Sequence, residues 1–303
     1  MSIAGFFAGV FLLAAATSAP QYRQSPYVGA LSMDASNGRV LFSERAGERA
    51  YPASVTKLMT AFLVLDEISA GRLKFEDVVV ASPVRSKADK HFRQPSCTGL
   101  RTGESMTVDE MLKALMVNSA NDAAIFLAEK CAGSVPEFVA KMNAKAKALG
   151  MNATVYYNPN GLPPPEGRQS AEFNVSTCND LAKLALAVLS THPEILRYTS
   201  LKTWNVTCLG KPLLDAKSGR QIRWVNHNNV MVKDKFKVVN PDGTEAADGL
   251  KTGYIDAGGS SVILTGKRNG KRVVVIVLGS ASAKDRDDAA SRLLSDALTA
   301  VAW

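Results

Sequence analysis

The chain has 303 residues, of which 46% are hydrophobic and 21% are charged. This balance supports a sizeable core and excludes a globally disordered chain. The 36 Lys and Arg residues outnumber the 28 Asp and Glu residues, and the net charge of +8 favours anionic surroundings such as a membrane surface or an acidic polymer. A nucleic-acid partner is not expected, because the basic residues form no long run and do not alternate with aromatic residues.

The N-terminus reads as an export signal. Residues 3–16 are continuously apolar, and small residues of the type accepted by signal peptidase follow them. The stretch is shorter than the roughly 20 residues of a transmembrane helix. We interpret residues 1–19 as a signal peptide, with an uncleaved anchor as the alternative, and residues 20–303 as one domain. Both interpretations predict an exported protein, in the periplasm or on the outer side of the cytoplasmic membrane.

The cysteines and histidines predict neither a disulfide scaffold nor a metal site. An exported chain could pair its four cysteines in three ways, which the sequence does not distinguish. No cysteine has a histidine nearby, which argues against a catalytic thiol, and the histidines form no metal-binding motif. Cys131 lies among apolar residues and is expected to be a small buried hydrophobic residue. The cysteines are Cys97, Cys131, Cys178 and Cys208.

The predicted elements begin with two strands, at 27–36 and 39–45, joined by a Ser-Asn-Gly turn that is typical of a hairpin. Helical spacing of apolar residues then predicts a helix over 54–68, which Gly71 ends. A short strand at 78–81 follows. Residues 85–103 are polar and irregular, which is typical of a loop.

The middle of the chain is predicted to be helical. Thr107 and Glu110 form a capping box that begins a helix ending near Val117. Two more helices are expected from Asn121 to Gly133 and over 136–149.

The last third returns to strands. A proline-rich loop at 158–167 precedes a helix over 179–189. Strands at 260–264 and 272–278 flank an Asn-Gly turn, and a closing helix covers 285–300. Strands at both chain ends with helices between them predict an α+β fold, in which one antiparallel sheet packs against helices.

Three short motifs could carry chemistry. They are an S-x-x-K, an S-x-N and a K-T-G, in the order used by penicillin-binding serine enzymes. Each alone could be a helix cap or a turn, and Lys217-Ser218-Gly219 is a second K-[ST]-G that we interpret as a loop. Neither the G-x-S-x-G nor the G-x-G-x-x-G motif occurs in the chain. The motifs are Ser54-Val55-Thr56-Lys57, Ser119-Ala120-Asn121 and Lys251-Thr252-Gly253.

The spacing of Ser54 and Lys57 places a hydroxyl and an amine one helical turn apart on the same face. An amine with the ordinary pKa of about 10.4 is protonated and is no base. Burial and a second nearby cation lower that pKa, and the amine can then accept the serine proton. Lys251 is the candidate for the second cation.

The chain resembles the D-alanyl-D-alanine carboxypeptidases, which are low-molecular-mass penicillin-binding proteins of peptidase family S11. The resemblance runs from about Tyr27 to the C-terminus and implies a three-layer α/β/α fold of the β-lactamase/transpeptidase type, with helices on both faces of the sheet. Beyond the three motifs, it rests on Tyr51-Pro52-Ala53, residues 158–162, Asn226-His227-Asn228, Asp248-Gly249-Leu250 and residues 266–272.

The resemblance also implies the catalytic roles. Ser54 would attack the carbonyl between the two terminal D-alanines of a peptidoglycan stem peptide, with Lys57 as the general base. Ser119 would help carry the proton to the departing amine, and Asn121 would bind the acyl part of the substrate. Lys251 would supply positive charge.

The remaining roles concern binding. Thr252 and Arg286 would hold the terminal carboxylate, and Gly253 would let a ligand strand lie close to the backbone. The backbone N–H groups of Ser54 and Tyr254 would form the oxyanion hole. Water would hydrolyse the acyl-enzyme without metal or cofactor, and β-lactams would acylate Ser54.

The sequence departs from many relatives at its end, and it leaves three other functions open. No C-terminal β domain or anchor is expected, so association with the membrane surface would depend on the net charge. A D,D-endopeptidase would use the same site, and the width of the cleft would decide. A class A β-lactamase would need a carboxylate such as Glu166, and its S-x-N motif usually has Asp where this chain has Ala120. A non-catalytic β-lactam sensor would need a partner domain or a signalling helix.

Overall fold

A computed structural model describes residues 22–83, 96–164, 172–215 and 217–301. The predicted signal peptide, most of the loop expected at 85–103, and Glu166 lie outside these residues. In chain order the strands are β1 (Gly29–Asp34), β2 (Val40–Glu44), β3 (Val78–Val80), β4 (Ser105–Thr107), β5 (Thr203–Asn205), β6 (Thr207–Cys208), β7 (Lys211–Pro212), β8 (Arg223–Val225), β9 (Ala247–Ile255), β10 (Gly259–Arg268) and β11 (Lys271–Ser280).

The helices of the described residues lie mostly between the two groups of long strands. They are α1 (Lys57–Ser69), α2 (Val108–Val117), α3 (Asn121–Ala132), α4 (Val135–Ala148), α5 (Cys178–Thr191), α6 (Leu196–Thr199), α7 (Asn229–Val232) and α8 (Ala283–Val301). Single 3₁₀ turns cover Ala53–Thr56, Pro193–Ile195 and Asp234–Phe236.

The main sheet confirms the predicted assembly from both chain ends. Within the described residues it has five antiparallel strands in the order β2-β1-β11-β10-β9. Gly29 of β1 lies opposite Leu278 of β11, so the first and last strands of the chain pair at the centre. Strand β9, which contains the K-T-G motif, lies at one edge of the sheet.

The sheet is covered on both faces, which confirms the three-layer α+β fold. In β11, Ile276 and Leu278 pack in the core beneath helices α1–α5, whereas Val275 and Val277 face α8 on the other side. Because alternate side chains of a strand point to opposite faces, both sets must be apolar. This explains why β11 reads as an unbroken apolar run rather than an alternating one.

Several local predictions are confirmed. The Thr107 side chain accepts from the backbone N–H of Glu110, and the Glu110 carboxylate accepts from that of Thr107, which completes the capping box. Gly133 ends α3 in the left-handed conformation. Asn269 and Gly270 both have positive φ, as the two-residue turn between β10 and β11 requires.

Other predictions were wrong in detail. The helix expected from Ser54 begins as a 3₁₀ turn, and α1 starts only at Lys57. No strand was predicted for the K-T-G motif, which lies inside β9, the strand that precedes the β10–β11 hairpin. Cys131 is only partly buried, because it lies near the exposed end of α3, and all four cysteines carry free thiols. The short strands β5–β8 were missed, because two or three residues show no periodicity.

Among the helices of the described residues, none is both long and apolar enough to cross a lipid bilayer.

Candidate active site

Ser54 lies on the 3₁₀ turn that leads into α1, and this turn is held against a neighbouring loop. Ala53 has a φ of 50°, in the left-handed region. Gly161, with a φ of 80°, packs so closely that a Cβ atom there would lie 1.8 Å from the Ala53 carbonyl oxygen. The loop at 158–162 therefore fixes the backbone that carries the serine.

Lys57 is fully buried and its amine is surrounded by oxygen atoms. Nζ lies 2.7 Å from Ser54 Oγ, 2.8 Å from Asn121 Oδ1 and 2.7 Å from the carbonyl oxygen of Asn160. These contacts come from three separate parts of the chain. The amine is thus fixed at hydrogen-bonding distance from the hydroxyl that it would deprotonate.

The environment of Lys57 favours the neutral amine. Burial, followed by repulsion from Lys251, holds its pKa well below the ordinary value. A neutral amine has a lone pair that can accept the Ser54 proton, whereas an ammonium group has none. Position and protonation state therefore agree with a general base.

Lys251 is buried on β9, and its amine donates to the carbonyl oxygen of Thr252 at 2.9 Å. Burial and the nearby Arg286 lower its pKa to about 7. Thr252 is buried beside it. The structure thus collects cationic groups at one side of Ser54, as binding of a carboxylate requires.

Gly253 brings β9 against the serine turn. A Cβ atom there would lie 2.5 Å from the carbonyl oxygen of Pro52 and 2.9 Å from the backbone nitrogen of Ser54. Only glycine allows this approach. The backbone of Tyr254 follows directly, while its side chain is 58% exposed and its hydroxyl donates to Asp256 Oδ1. Tyr254 can therefore serve the site through its backbone N–H.

The S-x-N motif reaches the site from the connection between α2 and α3. Asn121, the first residue of α3, accepts from Lys57 as described. Ser119 has a φ of 57° and is buried. Within the described residues its hydroxyl has no hydrogen bond, so the structure places Ser119 near the site without joining it to Ser54 or Lys57.

Arg286 is buried on the first turns of α8 and is held by its neighbour. Its Nε and Nη2 atoms donate to Asp287 Oδ1 at 2.8 and 2.6 Å. The other oxygen of Asp287 accepts from Asn229 Nδ2 at 2.7 Å. Asp287 thus fixes the guanidinium while leaving Nη1 without a hydrogen bond from the described residues.

The family model of the D-alanyl-D-alanine carboxypeptidases, peptidase S11, matches residues 15–282. The chain belongs to this family. The resemblance of the motifs is therefore confirmed over most of the chain.

Individual relatives agree with this assignment. D-alanyl-D-alanine carboxypeptidase DacF of Bacillus subtilis is 31% identical over 270 residues, which cover 89% of this chain and 61% of DacF. The D-alanyl-D-alanine endopeptidase of Pseudomonas aeruginosa is 34% identical over 178 residues, covering 59% of this chain and 50% of the endopeptidase. This chain thus spans about three-fifths of the length of DacF.

Among solved structures, penicillin-binding protein D2 from Listeria monocytogenes in its ampicillin-bound form is 28% identical. The match has a TM-score of 0.71 and covers 90% of this chain and 97% of that chain. The similarity supports the β-lactamase/transpeptidase-type fold.

In this member of the S11 family, the sequence did not predict the groups that hold Lys57 in place. Asn174 Nδ2 donates to Thr56 Oγ1 at 3.0 Å and to the carbonyl oxygen of Asn158 at 2.9 Å, and so ties the loop to the serine turn. The loop then presents the Asn160 carbonyl to Lys57. The Asn-Pro-Asn-Gly motif at 158–161 is recognisable in the sequence. The motif alone does not predict that the Asn160 carbonyl oxygen faces Lys57.

His227 is the other group without a predicted role. Burial, together with Lys251, Lys57 and Arg286, lowers its pKa to about 4. The ring is therefore neutral at pH 7 and adds no charge to the site, although part of the residue stays exposed to solvent. It also lines an open surface pocket together with Asn118, Trp224 and Lys233.

Proposed function

We propose that this protein is a serine-type D,D-carboxypeptidase that removes the terminal D-alanine from peptidoglycan pentapeptides. The observation that carries the proposal is the 2.7 Å approach of Lys57 Nζ to Ser54 Oγ, made by an amine whose pKa is held low. A serine that served only as a helix cap would contact backbone N–H groups, and the Ser54 side chain caps no helix.

Acylation would begin with the substrate carboxylate near Lys251, Thr252 and Arg286. Lys57 accepts the Ser54 proton as Oγ attacks the carbonyl carbon between the two D-alanines. The N–H groups of Ser54 and Tyr254 stabilise the resulting oxyanion, at about 3 kcal/mol for one such donor. Ser119 passes the proton to the departing amine, the C–N bond breaks, and D-alanine leaves.

Deacylation would use the same residues in reverse. Water gives a proton to Lys57, attacks the ester, and releases the shortened peptide with Ser54 restored. β-Lactams would acylate Ser54 in the same way, because their strained amide imitates the D-Ala-D-Ala amide. Their leaving group stays attached, so the acyl-enzyme persists.

The location follows from the substrate. Peptidoglycan lies outside the cytoplasmic membrane, and the apolar segment at 3–16 would direct export. The proposed location is the periplasm or the outer side of the cytoplasmic membrane, where a net charge of +8 favours association with anionic polymers.

The test uses the purified protein with a linear muropeptide that ends in D-Ala-D-Ala, with products followed by mass. We expect loss of one D-alanine, labelling of Ser54 by a fluorescent penicillin, and neither in Ser54→Ala. Penicillin labelling without any peptide product would instead indicate a sensor. Release of D-alanine by Ser54→Ala would contradict the proposal.

A further inference from the structure

The S-x-N motif is held from outside by a short segment, residues 96–98, to which the proposed reaction gives no role. Helix α3 begins at Asn121 without a capping side chain, since Ala120 occupies its N-cap position. The backbone N–H of Asn121 donates instead to the carbonyl oxygen of Ser96 at 2.8 Å. The segment 96–98 therefore takes the place of a cap at the start of this helix.

A second contact of the segment lies on the other side of Ser119. Asn118 Nδ2 donates to the carbonyl oxygen of Cys97 at 3.0 Å. Ser119 itself is in the left-handed region, with a φ of 57°. A residue other than glycine keeps this conformation only where its surroundings fix it. Contacts with the segment 96–98 on both sides of Ser119 supply such surroundings.

Asp122 attaches the segment to α3. Its side chain is buried in the first turn of the helix. The carboxylate accepts from the backbone N–H of Thr98 at 2.8 and 3.0 Å, from the Thr98 hydroxyl at 2.6 Å and from the backbone N–H of Ala123 at 2.9 Å. All of these groups are donors, which favours the charged carboxylate, because that form only accepts hydrogen bonds. Hydrogen bonds to a charged group are also stronger than those between neutral groups.

We infer that Asp122 is a positioning residue for the acylation of Ser54. By attaching the segment 96–98 to the first turn of α3, its carboxylate holds the S-x-N motif where the reaction needs it. Asn121 Oδ1 accepts from Lys57 Nζ at 2.8 Å, so the position of the base depends on the same attachment. The inference rests on the acylation step of the proposed function, on which Asp122 acts through its neighbours.

The charge of Asp122 also reaches Lys57, and this effect distinguishes it from a residue that is only structural. Burial and then repulsion from Lys251 lower the pKa of Lys57, whereas Cys97 and Asp122 raise it. Burial raises the pKa of the Cys97 thiol to about 12, so at pH 7 the thiol is neutral and Asp122 supplies the opposing charge. Without that charge the pKa of Lys57 falls further, and the amine keeps its lone pair to a lower pH.

The test compares Asp122→Asn with Asp180→Asn by the second-order rate constant for penicillin acylation of Ser54 across the pH range. Asp180 is the matched control, because it is also buried in the first turn of a helix, α5. Its carboxylate likewise accepts from a backbone N–H, that of Ala153, and from a threonine hydroxyl, that of Thr154, both at 2.9 Å.

In Asp122→Asn we expect the maximal rate constant to fall at least about tenfold, because misplaced catalytic groups react slowly. The acid limb of the pH profile should move to lower pH. Asp180→Asn should lose stability in urea but keep the wild-type rate constant and acid limb. Thr98→Val removes one hydrogen bond and keeps the Asp122 charge, so acylation should slow by a smaller factor with the acid limb in place. This variant carries the test if Asp122→Asn does not fold.

Several outcomes would overturn the inference. They are a wild-type rate constant in Asp122→Asn or in Thr98→Val, an equal slowing in Asp180→Asn, and a slower Asp122→Asn whose acid limb stays in place. Wild-type protein that reacts with penicillin but releases no D-alanine from the pentapeptide would contradict the proposed function and leave this comparison valid. Wild-type protein that does not react with penicillin would overturn both.

Discussion

At the scale of single residues, the proposed reaction places opposite requirements on two buried lysines. In that reaction, Lys57 must be neutral to accept a proton, whereas Lys251 must be charged to attract a carboxylate. Burial lowers the pKa of both, and repulsion from Lys251 lowers that of Lys57 further. Each lysine therefore limits the reaction on a different side of the pH scale.

The pKa of Lys251, about 7, predicts an alkaline limb in the pH profile. As pH rises through this value, Lys251 loses its charge and its attraction for the substrate carboxylate. On the acid side, protonation of Lys57 removes the base. We expect the second-order rate constant for penicillin acylation of Ser54 to rise and then fall with pH, which stopped-flow labelling across the pH range would measure.

Lys251→Arg is the control for the alkaline limb. A guanidinium group does not titrate below pH 12. The decrease of the acylation rate constant near pH 7 should therefore disappear, even if the maximal rate constant is lower than in the wild type. If the alkaline limb persisted in this variant, the titration of a group other than Lys251 would be its cause.

Gly161→Ala should damage both folding and catalysis. The new Cβ atom would lie 1.8 Å from the backbone oxygen of Ala53, and the residue has a positive φ. Backbone atoms on both sides must shift, so we expect a loss of more than ~2 kcal/mol in the free energy of unfolding. Because the loop carries the Asn160 carbonyl, penicillin acylation should also slow. Urea denaturation and labelling rates measure the two effects.

Gly150→Ala is the matched control, since Gly150 also has a positive φ but a Cβ atom there would meet nothing within 4 Å. Its free energy of unfolding should fall only by the backbone strain of about 1–2 kcal/mol, and the rate of penicillin acylation should stay unchanged. If the two variants behaved alike, the close contact with Ala53 would not matter.

At the scale of elements, Glu110 joins a helix to a hairpin. Its carboxylate caps α2 through the backbone N–H of Thr107, and it also accepts from the Thr207 hydroxyl and the N–H groups of Leu209 and Gly210. Helix α2 ends just before Ser119. One buried carboxylate thus fixes both the β6–β7 hairpin and the helix that delivers the S-x-N motif.

Glu110→Gln should therefore weaken the attachment of the β6–β7 hairpin to α2. Burial alone would raise the pKa of Glu110, but the hydrogen bonds from Thr207 and the backbone outweigh it and lower the pKa. The stabilisation is present at neutral pH and is lost as pH falls through the lowered pKa. We expect the free energy of unfolding at pH 7 to fall by ~2 kcal/mol and to depend less on pH in the acid range. Proteolytic cleavage between β7 and β8 should also be faster.

Glu48→Gln, at an exposed position, provides the comparison for the removal of one negative charge. Its stability should stay within about 0.5 kcal/mol of wild type. Equal destabilisation of the two variants would show that net charge, rather than the buried network, is responsible.

At the scale of the whole molecule, the net charge of +8 predicts salt-sensitive attachment to anionic surfaces. The Debye length falls from about 10 Å at 0.1 M to about 3 Å at 1 M ionic strength, which screens exposed charges. We expect the purified protein to sediment with vesicles rich in anionic lipid at low salt and to dissociate at high salt. Neutral vesicles should bind little. Attachment that survives high salt would indicate apolar insertion instead.

Much of the fold could be predicted from the sequence because its signals are local. The capping box at Thr107 and the Asn269-Gly270 turn each depend on a few consecutive residues. The apolar run of β11 is visible because burial on both faces demands it. The order of the three motifs identified the family for the same reason, since each motif occupies only three or four positions.

The sequence by itself therefore determined the family, the sheet built from both chain ends, and the identity of Ser54, Lys57 and Lys251 as candidates. The tertiary structure alone decided what surrounds them. Asn121 and Asn160 reach Lys57 from 64 and 103 positions away, and no local pattern encodes such contacts. The lowered pKa values of Lys57 and Lys251 depend on the same long-range packing, because burial and charge proximity exist only once distant segments have come together.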